Sequence, residues 1–357
     1  MKIAFILGTR PEILKLAPLI KESIRRNIQT VLIHTNQHYS FEMDEIFFKE
    51  LKLKKPDYNL KIGSCDHNLQ IGKMLIALDA TLKEEKPDVL VVQGDTNSTL
   101  AGALAASKLG IKIAHVEAGL RSYDRNMPEE INRIITDSIS DFLFPVTKVQ
   151  EEILSKEGIN RNKIFTVGNT IVDTLIEMIQ SCDESQSILL KNQISSNEYF
   201  LLTIHRPSNV DEDIPLLKII NNLEKISHTW NKKILWPIHP RTKKKIEELN
   251  LKLSDSFILT SPVGYVDFLT LMKNSFMILT DSGGIQEEAC IIRKPCITLR
   301  ENTERPETVS VGANILVGDS LEKLLKAIQK MQTFDPSYTP PFGDGTTSIK
   351  IMDIITK

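Results

Sequence analysis

Short apolar runs alternate with helix-length amphipathic stretches along almost the whole chain, and that alternation leaves few folds open. Lys2-Ile3-Ala4-Phe5-Ile6-Leu7, Val31 to His34, Asp88 to Val92, Lys112 to Val116 and Phe142-Leu143-Phe144 read as short strands buried on both faces. Ile164-Phe165-Thr166-Val167 reads as the last strand of this set. Helical patterns lie between them, such as Ser98 to Leu109, where Gly110 is the expected C-terminal stop. A more polar segment, Ile171 to Asn197, contains the soft boundary Cys182-Asp183-Glu184-Ser185-Gln186-Ser187 and reads as a crossover. The alternation then restarts with Tyr199 to Ile204, Ile234 to Trp236, Phe257 to Leu259, Phe276 to Leu279, Cys296 to Leu299 and Ile315 to Val317. Parallel sheets covered by helices on both faces satisfy such a pattern. The 357 residues exceed one comfortable core and suit two. The expected fold is therefore α/β, with two Rossmann-like, doubly wound domains over 1–170 and 171–345 facing a central cleft. A final helix within 346–357, after the breaker Pro340 to Gly345, is expected to pack back on the first domain.

Composition narrows the function by exclusion. A net charge of −2 provides no basic footprint for nucleic acid or an anionic membrane surface. No apolar run approaches a membrane span, and the first strand starts at once, so no leader and a cytoplasmic location are expected. Cys65, Cys182, Cys290 and Cys296 show no metal-finger spacing, and reduced thiols are expected. No histidine–carboxylate pair has ligand spacing on one helix, so no metal is expected. Neither a Walker loop nor a GxGxxG fingerprint is present.

Polar residues follow the strand C-terminal ends with unusual regularity. The first strand runs into Gly8-Thr9-Arg10-Pro11-Glu12, with Lys15 about one turn on. Later strands deliver Gln93-Gly94-Asp95-Thr96, then Glu117-Ala118-Gly119-Leu120-Arg121, and soon Pro128-Glu129-Glu130-Ile131-Asn132-Arg133. In the second half come His205-Arg206-Pro207-Ser208-Asn209 and His239-Pro240-Arg241-Thr242. Any one of these has a plain structural explanation: Asp and Thr cap helices, first-turn acids answer the helix dipole, and Glu–Arg pairs bridge surfaces. Repetition along one sheet edge in both halves is not explained by caps. Two segments read as anion sites at helix N-termini, Gly8-Thr9-Arg10 and Asp281-Ser282-Gly283-Gly284, the second more strongly because its paired glycines let a phosphate approach. Glu287 or Glu288, one turn further, could reach a ribose diol, and Arg300 and Arg305 flank the turn. Together these imply a nucleotide diphosphate carried by the second half.

These ordered motifs, with Thr303-Glu304-Arg305-Pro306-Glu307 and the Gly343-Asp344-Gly345 tail, closely resemble the non-hydrolysing UDP-N-acetylglucosamine 2-epimerases over nearly the whole chain. The resemblance implies the glycosyltransferase B arrangement, a homodimer, and interconversion of UDP-GlcNAc and UDP-ManNAc without NAD or metal. It implies a catalytic cluster of Arg10, Lys15, Asp95, Glu117, Glu129 and His205. It implies UDP contacts from Ser282, Gly283, Gly284, Glu288 and Arg305, with Arg133 grouped beside them. Gln37, His38, Gln70, Arg206 and His239 match regions that in bacterial members hold a second, activating UDP-GlcNAc. One departure stands out: the family often reads His-Arg-Glu-Asn where this chain reads His205-Arg206-Pro207-Ser208-Asn209.

The chemistry expected of such a site is elimination. The C2 proton of an N-acetyl sugar has no neighbouring carbonyl, so the C1–O bond to UDP must break as that proton leaves, giving a 2-acetamidoglucal. Rivals are an epimerase of a related UDP-diacetamido sugar, a glycosyltransferase of the same fold, a hydrolysing epimerase, and a UDP-sugar sensor without catalysis. The last would lose Asp95, Glu117 or His205, and all three are present.

Overall fold

Among the described residues, six short, mostly apolar strands in each half form two parallel sheets, and each sheet lies between helices. The computed structural model describes residues 1–37, 41–182 and 187–357. Two compact units emerge, Met1–Ile176 with Phe342–Lys357, and Glu177–Pro341. In the first, the chain runs β1 (Lys2–Leu7), α1 (Arg10–Arg25), β2 (Gln29–His34), α2 (Phe41–Glu50), β3 (Tyr58–Asn59), α3 (His67–Glu85) and β4 (Val89–Gln93). It continues through α4 (Asn97–Leu109), β5 (Lys112–Val116), α5 (Pro128–Ile139), β6 (Phe142–Phe144), α6 (Lys148–Lys156) and the first half of α7 (Thr170–Cys182), the boundary falling after Ile176 within that helix. The second unit holds α8 (Ser187–Lys191), β7 (Tyr199–Thr203), α9 (Pro207–Val210), α10 (Asp213–Trp230), β8 (Lys233–Pro237), α11 (Pro240–Glu248) and β9 (Phe257–Thr260). There follow α12 (Tyr265–Asn274), β10 (Met277–Thr280), α13 (Gly283–Ile291), β11 (Cys296–Thr298), α14 (Pro306–Ser310), β12 (Asn314–Leu316) and α15 (Leu321–Met331). The last helix, α16 (Thr347–Ile355), returns to the first unit.

Strand order is β3-β2-β1-β4-β5-β6 in one sheet and β12-β11-β10-β7-β8-β9 in the other, and every pairing is parallel. Both sheets place their first strand centrally and grow outward from it on either side. In the first the winding reverses between β1 and β4, and in the second between β7 and β10. Such a switch point leaves a crevice at the strand C-terminal ends, where open α/β sheets take ligands. The expected pair of doubly wound α/β units is what the chain forms.

Local chemistry accounts for the element ends. Thr96 caps α4 by accepting from the Thr99 amide, and Gly110 ends it with φ 69°. Thr147 and Gln150 form a capping box on α6. Strands β4 and β10 are buried at every residue, as parallel strands covered on both faces must be. Apolar clusters in both units carry the packing. One joins Ile6, Ile33, Leu90 and Val92 to Met74 and Leu78 of α3, and another gathers Phe200, Trp236, Met277 and Leu279 against Leu223. Each such side chain removed from water contributes about 1.5–3 kcal/mol.

Three details differ from the sequence reading. Ile164–Val167 forms only an isolated bridge, Leu143 to Ile164, because the next partner along is Pro145, which has no N–H to continue the ladder. The two-residue edge strand β3 was too short to give a period. The polar crossover holds helices α7 and α8. Back on the first unit, α16 is tied by Arg26 to Asp353 at 2.7 Å and capped by Asp173, which accepts from the Ser348 amide at 2.9 Å and hydroxyl at 2.6 Å.

Candidate active site

At the first switch point the turn after β1 is sealed by its own glutamate. Glu12 is buried; its Oε2 accepts from the Gly8 amide (2.9 Å) and the Thr9 hydroxyl (2.8 Å), and its Oε1 from Thr96 (2.7 Å) across the sheet. Burial pushes its pKa up, against the hydrogen bonds from Thr96, Thr9 and Gly8. A Cβ on Gly8 would sit 2.2 Å from Thr35 Oγ1 and 2.3 Å from Ser98 Oγ. The reading of this turn as an open anion cradle is therefore corrected: its amide is taken and its glycine is there for packing. Arg10 alone reaches outward, exposed, with its guanidinium 4.6 Å from the Phe47 ring centroid.

Behind it lies a buried acid–base cluster. Lys15 Nζ donates to both oxygens of Glu117, at 2.7 and 2.8 Å. Gln93 Nε2 donates to Glu117 Oε2, and Asn169 Nδ2 lies 3.4 Å from Oε1. Glu117 has φ 68°, a left-handed conformation that a residue with a Cβ adopts rarely and only where its surroundings demand it.

The inner face of α5 organises the neighbouring loops. Arg133 donates to Asp95 Oδ2 from Nη2 (2.6 Å) and Nε (3.0 Å), and to Glu130 from Nη1 (2.8 Å). The resemblance grouped Arg133 with the UDP contacts; the structure pairs it inside the first unit. Glu130 also accepts from the Ser122 and Tyr123 amides. Burial opposes its charge, yet the donors Ser122, Arg133 and Tyr123 win and hold it below the usual carboxylate range. The side chain of Glu129, half-buried in the same first turn, makes no hydrogen bond or ion pair among the described residues. Of the residues matched to an activator site, Gln37 and Gln70 come together: Gln70 donates to Gln37 O (3.2 Å), and Ser98 donates to Gln37 Oε1 (2.8 Å). His38 lies outside the described residues.

The second switch point joins β7 to β10. Asp281 is fully buried, and its carboxylate accepts from the His205 amide (3.0 Å), the Arg206 amide (2.9 Å) and Asn209 Nδ2 (3.0 Å). His205 Nδ1 lies 3.2 Å from its other oxygen. Burial opposes the Asp281 charge, but His205 and these donors hold its pKa low. Asp281 is thus bound to the His205 loop, a correction to its reading as part of the phosphate turn. His239, the N-cap of α11, has its ring centroid 6.1 Å from that of His205. Burial, with His205 and Arg241 nearby, lowers its pKa.

Beyond Asp281 the turn is open. Among the described residues no hydrogen bond takes the Gly283 or Gly284 amide, and Ser282 makes no side-chain cap. A Cβ on Gly284 would meet only Ser282 Oγ, at 4.0 Å, and one on Gly283 only Glu304 Oε2, at 3.6 Å. Further along α13, Glu288 accepts from the Tyr265 hydroxyl (3.2 Å), and Glu287 pairs with Arg305 at 3.1 Å. Arg300 grips Glu304 at 2.8 and 2.9 Å. Burial works against that carboxylate's charge, but Arg300 brings its pKa to about 2.

The sequence reading named Glu12, Gln93 and Glu130 within its motifs without giving them a place in the site, misjudged the role of Asp281, and passed over Asn169. Gln93 had a signal, since it ends a strand directly before Gly94. Asn169 had none, because its partner is far along the chain. Among the described residues no group of three His, Cys, Asp or Glu could hold a metal ion, and no helix is long and apolar enough to cross a membrane.

Known proteins carry the same pattern over their whole length. The sequence profile of the UDP-N-acetylglucosamine 2-epimerase family matches residues 21–356. UDP-N-acetylglucosamine 2-epimerase of Methanocaldococcus jannaschii is 54% identical over 362 residues, covering 100% of this chain and 99% of its own. The Pseudomonas aeruginosa UDP-2,3-diacetamido-2,3-dideoxy-D-glucuronate 2-epimerase is 42% identical and covers 100% of both. A crystal structure of the Methanocaldococcus jannaschii enzyme in complex with UDP-GlcNAc and UDP superposes with a TM-score of 0.92 over 100% of this chain and 99% of that one. With these motifs on two doubly wound units and identity of this extent from end to end, the chain belongs to the UDP-N-acetylglucosamine 2-epimerase family.

Proposed function

We propose that this isomerase interconverts UDP-GlcNAc and UDP-ManNAc by elimination and re-addition of UDP. The observation that carries the chemistry is Glu117, a buried carboxylate in a strained conformation, gripped by Lys15. In the reading, the C1–O bond breaks with its electron pair going to the β-phosphate oxygen, while a carboxylate takes the C2 proton. UDP and a 2-acetamidoglucal result. Protonation at C2 from the other face and return of the phosphate oxygen to C1 give the epimer. Asp95, Glu117, Glu129 and His205 are the acid–base candidates. Arg10, Arg305 and the Ser282-Gly283-Gly284 amides would bear the charge developing on departing UDP, the task in which pre-organised donors contribute most. Glu288 would hold the ribose. The reaction calls on neither NAD nor a metal, and the enzyme acts as a cytoplasmic homodimer.

Gln37, His38, Gln70, Arg206 and His239 would bind a second UDP-GlcNAc. With Pro207-Ser208 in place of the family's glutamate, activity on UDP-ManNAc alone is expected. A rate that stays nil until UDP-GlcNAc is added would refute that point.

Epimerisation in heavy water tests the main proposal. One deuterium at C2 of the product, with turnover unaffected by a chelator, is the expected result. Retention of the original C2 hydrogen would sink the elimination route. A second reading, action on a UDP-diacetamido sugar, is favoured by the full-length likeness to the Pseudomonas aeruginosa enzyme. Rates on the two substrates, measured side by side, separate them.

A further inference from the structure

We infer that His115, which has no part in the acid–base cluster above, is a positioning residue that holds Asp95 in its reacting conformation. The inference rests on the proposed epimerase reading. A histidine near the end of a buried strand is ordinarily core filling. This one has no exposed surface, yet both ring nitrogens are aimed at polar groups that tie down the two loops delivering Asp95 and Glu117. Nε2 donates to the Gly94 carbonyl at 2.8 Å, and Nδ1 lies 2.7 Å from Asp137 Oδ1. The carbonyl can only accept, so Nε2 must carry a proton. Asp137 is itself buried, and its other oxygen accepts from the Gly119 amide at 3.2 Å and from Arg121 Nη2 at 2.8 Å. Asp137, a carboxylate already holding those two donors, is likewise an acceptor, so the ring satisfies both partners only by donating from both nitrogens, as the doubly protonated imidazolium does.

The result is a clasp across the edge of the sheet. Gly94 follows β4, Gly119 follows β5, and Asp137 belongs to α5; His115 and Asp137 tie all three together. Glu117, at φ 68°, holds a left-handed conformation that its Cβ makes costly, and Gly94 and Gly119, at φ 74° and 81°, leave their loops no side-chain constraint of their own, so both loops gain from outside restraint. The carbonyl of Gly94 shares its peptide plane with the amide of Asp95. Asn132 Nδ2 holds the carbonyl on the other side of Asp95 at 2.9 Å, and Arg133 holds its carboxylate. His115 thus supplies the restraint on the N-terminal side of Asp95. Without it, the Gly94 carbonyl loses its donor and the peptide leading into Asp95 is free to turn.

A kinetic double-mutant cycle between His115 and Asp95 tests this, with UDP affinity measured alongside. Epimerisation by the wild-type enzyme comes first; its absence would refute the epimerase reading itself. Given turnover, His115→Phe is expected to lower kcat by about 30- to 100-fold, as small misplacements of reacting groups do. KM and UDP affinity should stay within about 2-fold, and His115→Gln, which restores an N–H donor, should recover part of the loss. In an Asp95→Asn background the same His115→Phe change should cost less than about 3-fold, since the two residues act as one. Equal cost in both backgrounds, or unchanged kcat in a folded His115→Phe, overturns the assignment. Should His115→Phe fail to fold, Asp137→Asn, which keeps the shape of the clasp, takes its place in the cycle. A loss of kcat that vanishes in the Asp95→Asn background then supports the assignment, and an equal loss in both backgrounds overturns it.

Discussion

The turns after β1 and β10 look alike in sequence, each a strand delivering glycine to a helix N-terminus, yet they are filled in opposite ways. At Gly8 the space a Cβ would need is occupied by Thr35 and Ser98, and the amide is satisfied by Glu12. At Gly283 and Gly284 the space is open, and no described group takes the amides. Their neighbouring glutamates differ as well. Glu12 is held by hydroxyls and an amide and is pushed up by burial, whereas Glu304 is held by Arg300 and falls to about 2. A glycine turn thus marks close approach without saying what approaches. In the first unit it is the protein itself; in the second no described group fills the turn, which the proposed function gives to the diphosphate.

The sharpest break of this comparison is by function. Glu117→Gln in the first unit should lower turnover by about 1,000-fold or more and leave UDP affinity unchanged, because in the proposed mechanism the carboxylate acts only at the reacting carbon. Loss of UDP affinity along with turnover would undo the division between the units.

The glycines come next. Gly284→Ala should weaken UDP binding about 100-fold with the melting temperature nearly unchanged, since an alanine there makes only an ordinary contact with Ser282 Oγ, at 4.0 Å, but would stand where the proposed diphosphate approaches. Gly8→Ala should do the reverse, costing about 1–3 kcal/mol of stability by overpacking while UDP affinity survives. Calorimetric binding and thermal melts on the two variants decide the matter; matching profiles would show the turns to be equivalent after all.

Glu288→Ala should weaken UDP about 10-fold, the loss of hydrogen bonds made equally in ground and transition states, and spare kcat at saturation. A fall in kcat alone would move Glu288 to the chemistry.

The smallest effect concerns the two glutamates. Glu304 has a depressed pKa, so its stabilisation is present above the unfolded value of about 4.3 and is lost as pH falls towards about 2. Glu12 has a raised pKa, so its contribution has the opposite sign: it favours the folded state below the unfolded value and declines as pH rises through and beyond it. Glu304→Gln should therefore cost about 1–2 kcal/mol at neutral pH, after allowance for solvent screening, and flatten the acid limb of a stability–pH curve. An unchanged acid limb would show that Arg300 holds Glu304 without stabilising the fold.

How much was legible follows from the range of each signal. Strand and helix identities rest on local periodicity, and Lys2–Leu7, Lys112–Val116 and Phe142–Phe144 appear with the bounds read from the sequence. Caps are local too: Thr96 and Gly110 end α4 as their types demand. The Gly8 turn was misread because Thr35 and Ser98, which fill it, are remote in the chain. Asp281 was misread for the same reason, since its partners His205, Arg206 and Asn209 reach it only when β7 lies beside β10.

The sequence by itself determined that two parallel sheets would form, where their polar C-terminal ends would fall, and to which family the motifs belong, because these depend on residues a few positions apart. Tertiary structure alone decided which of those polar residues are partners. Lys15 meets Glu117 across 102 positions and Glu12 meets Thr96 across 84. No local pattern encodes such pairs. They are set by the strand order, which reverses beside β1 and β7, and that order is settled only when whole faces of helix and sheet are buried together.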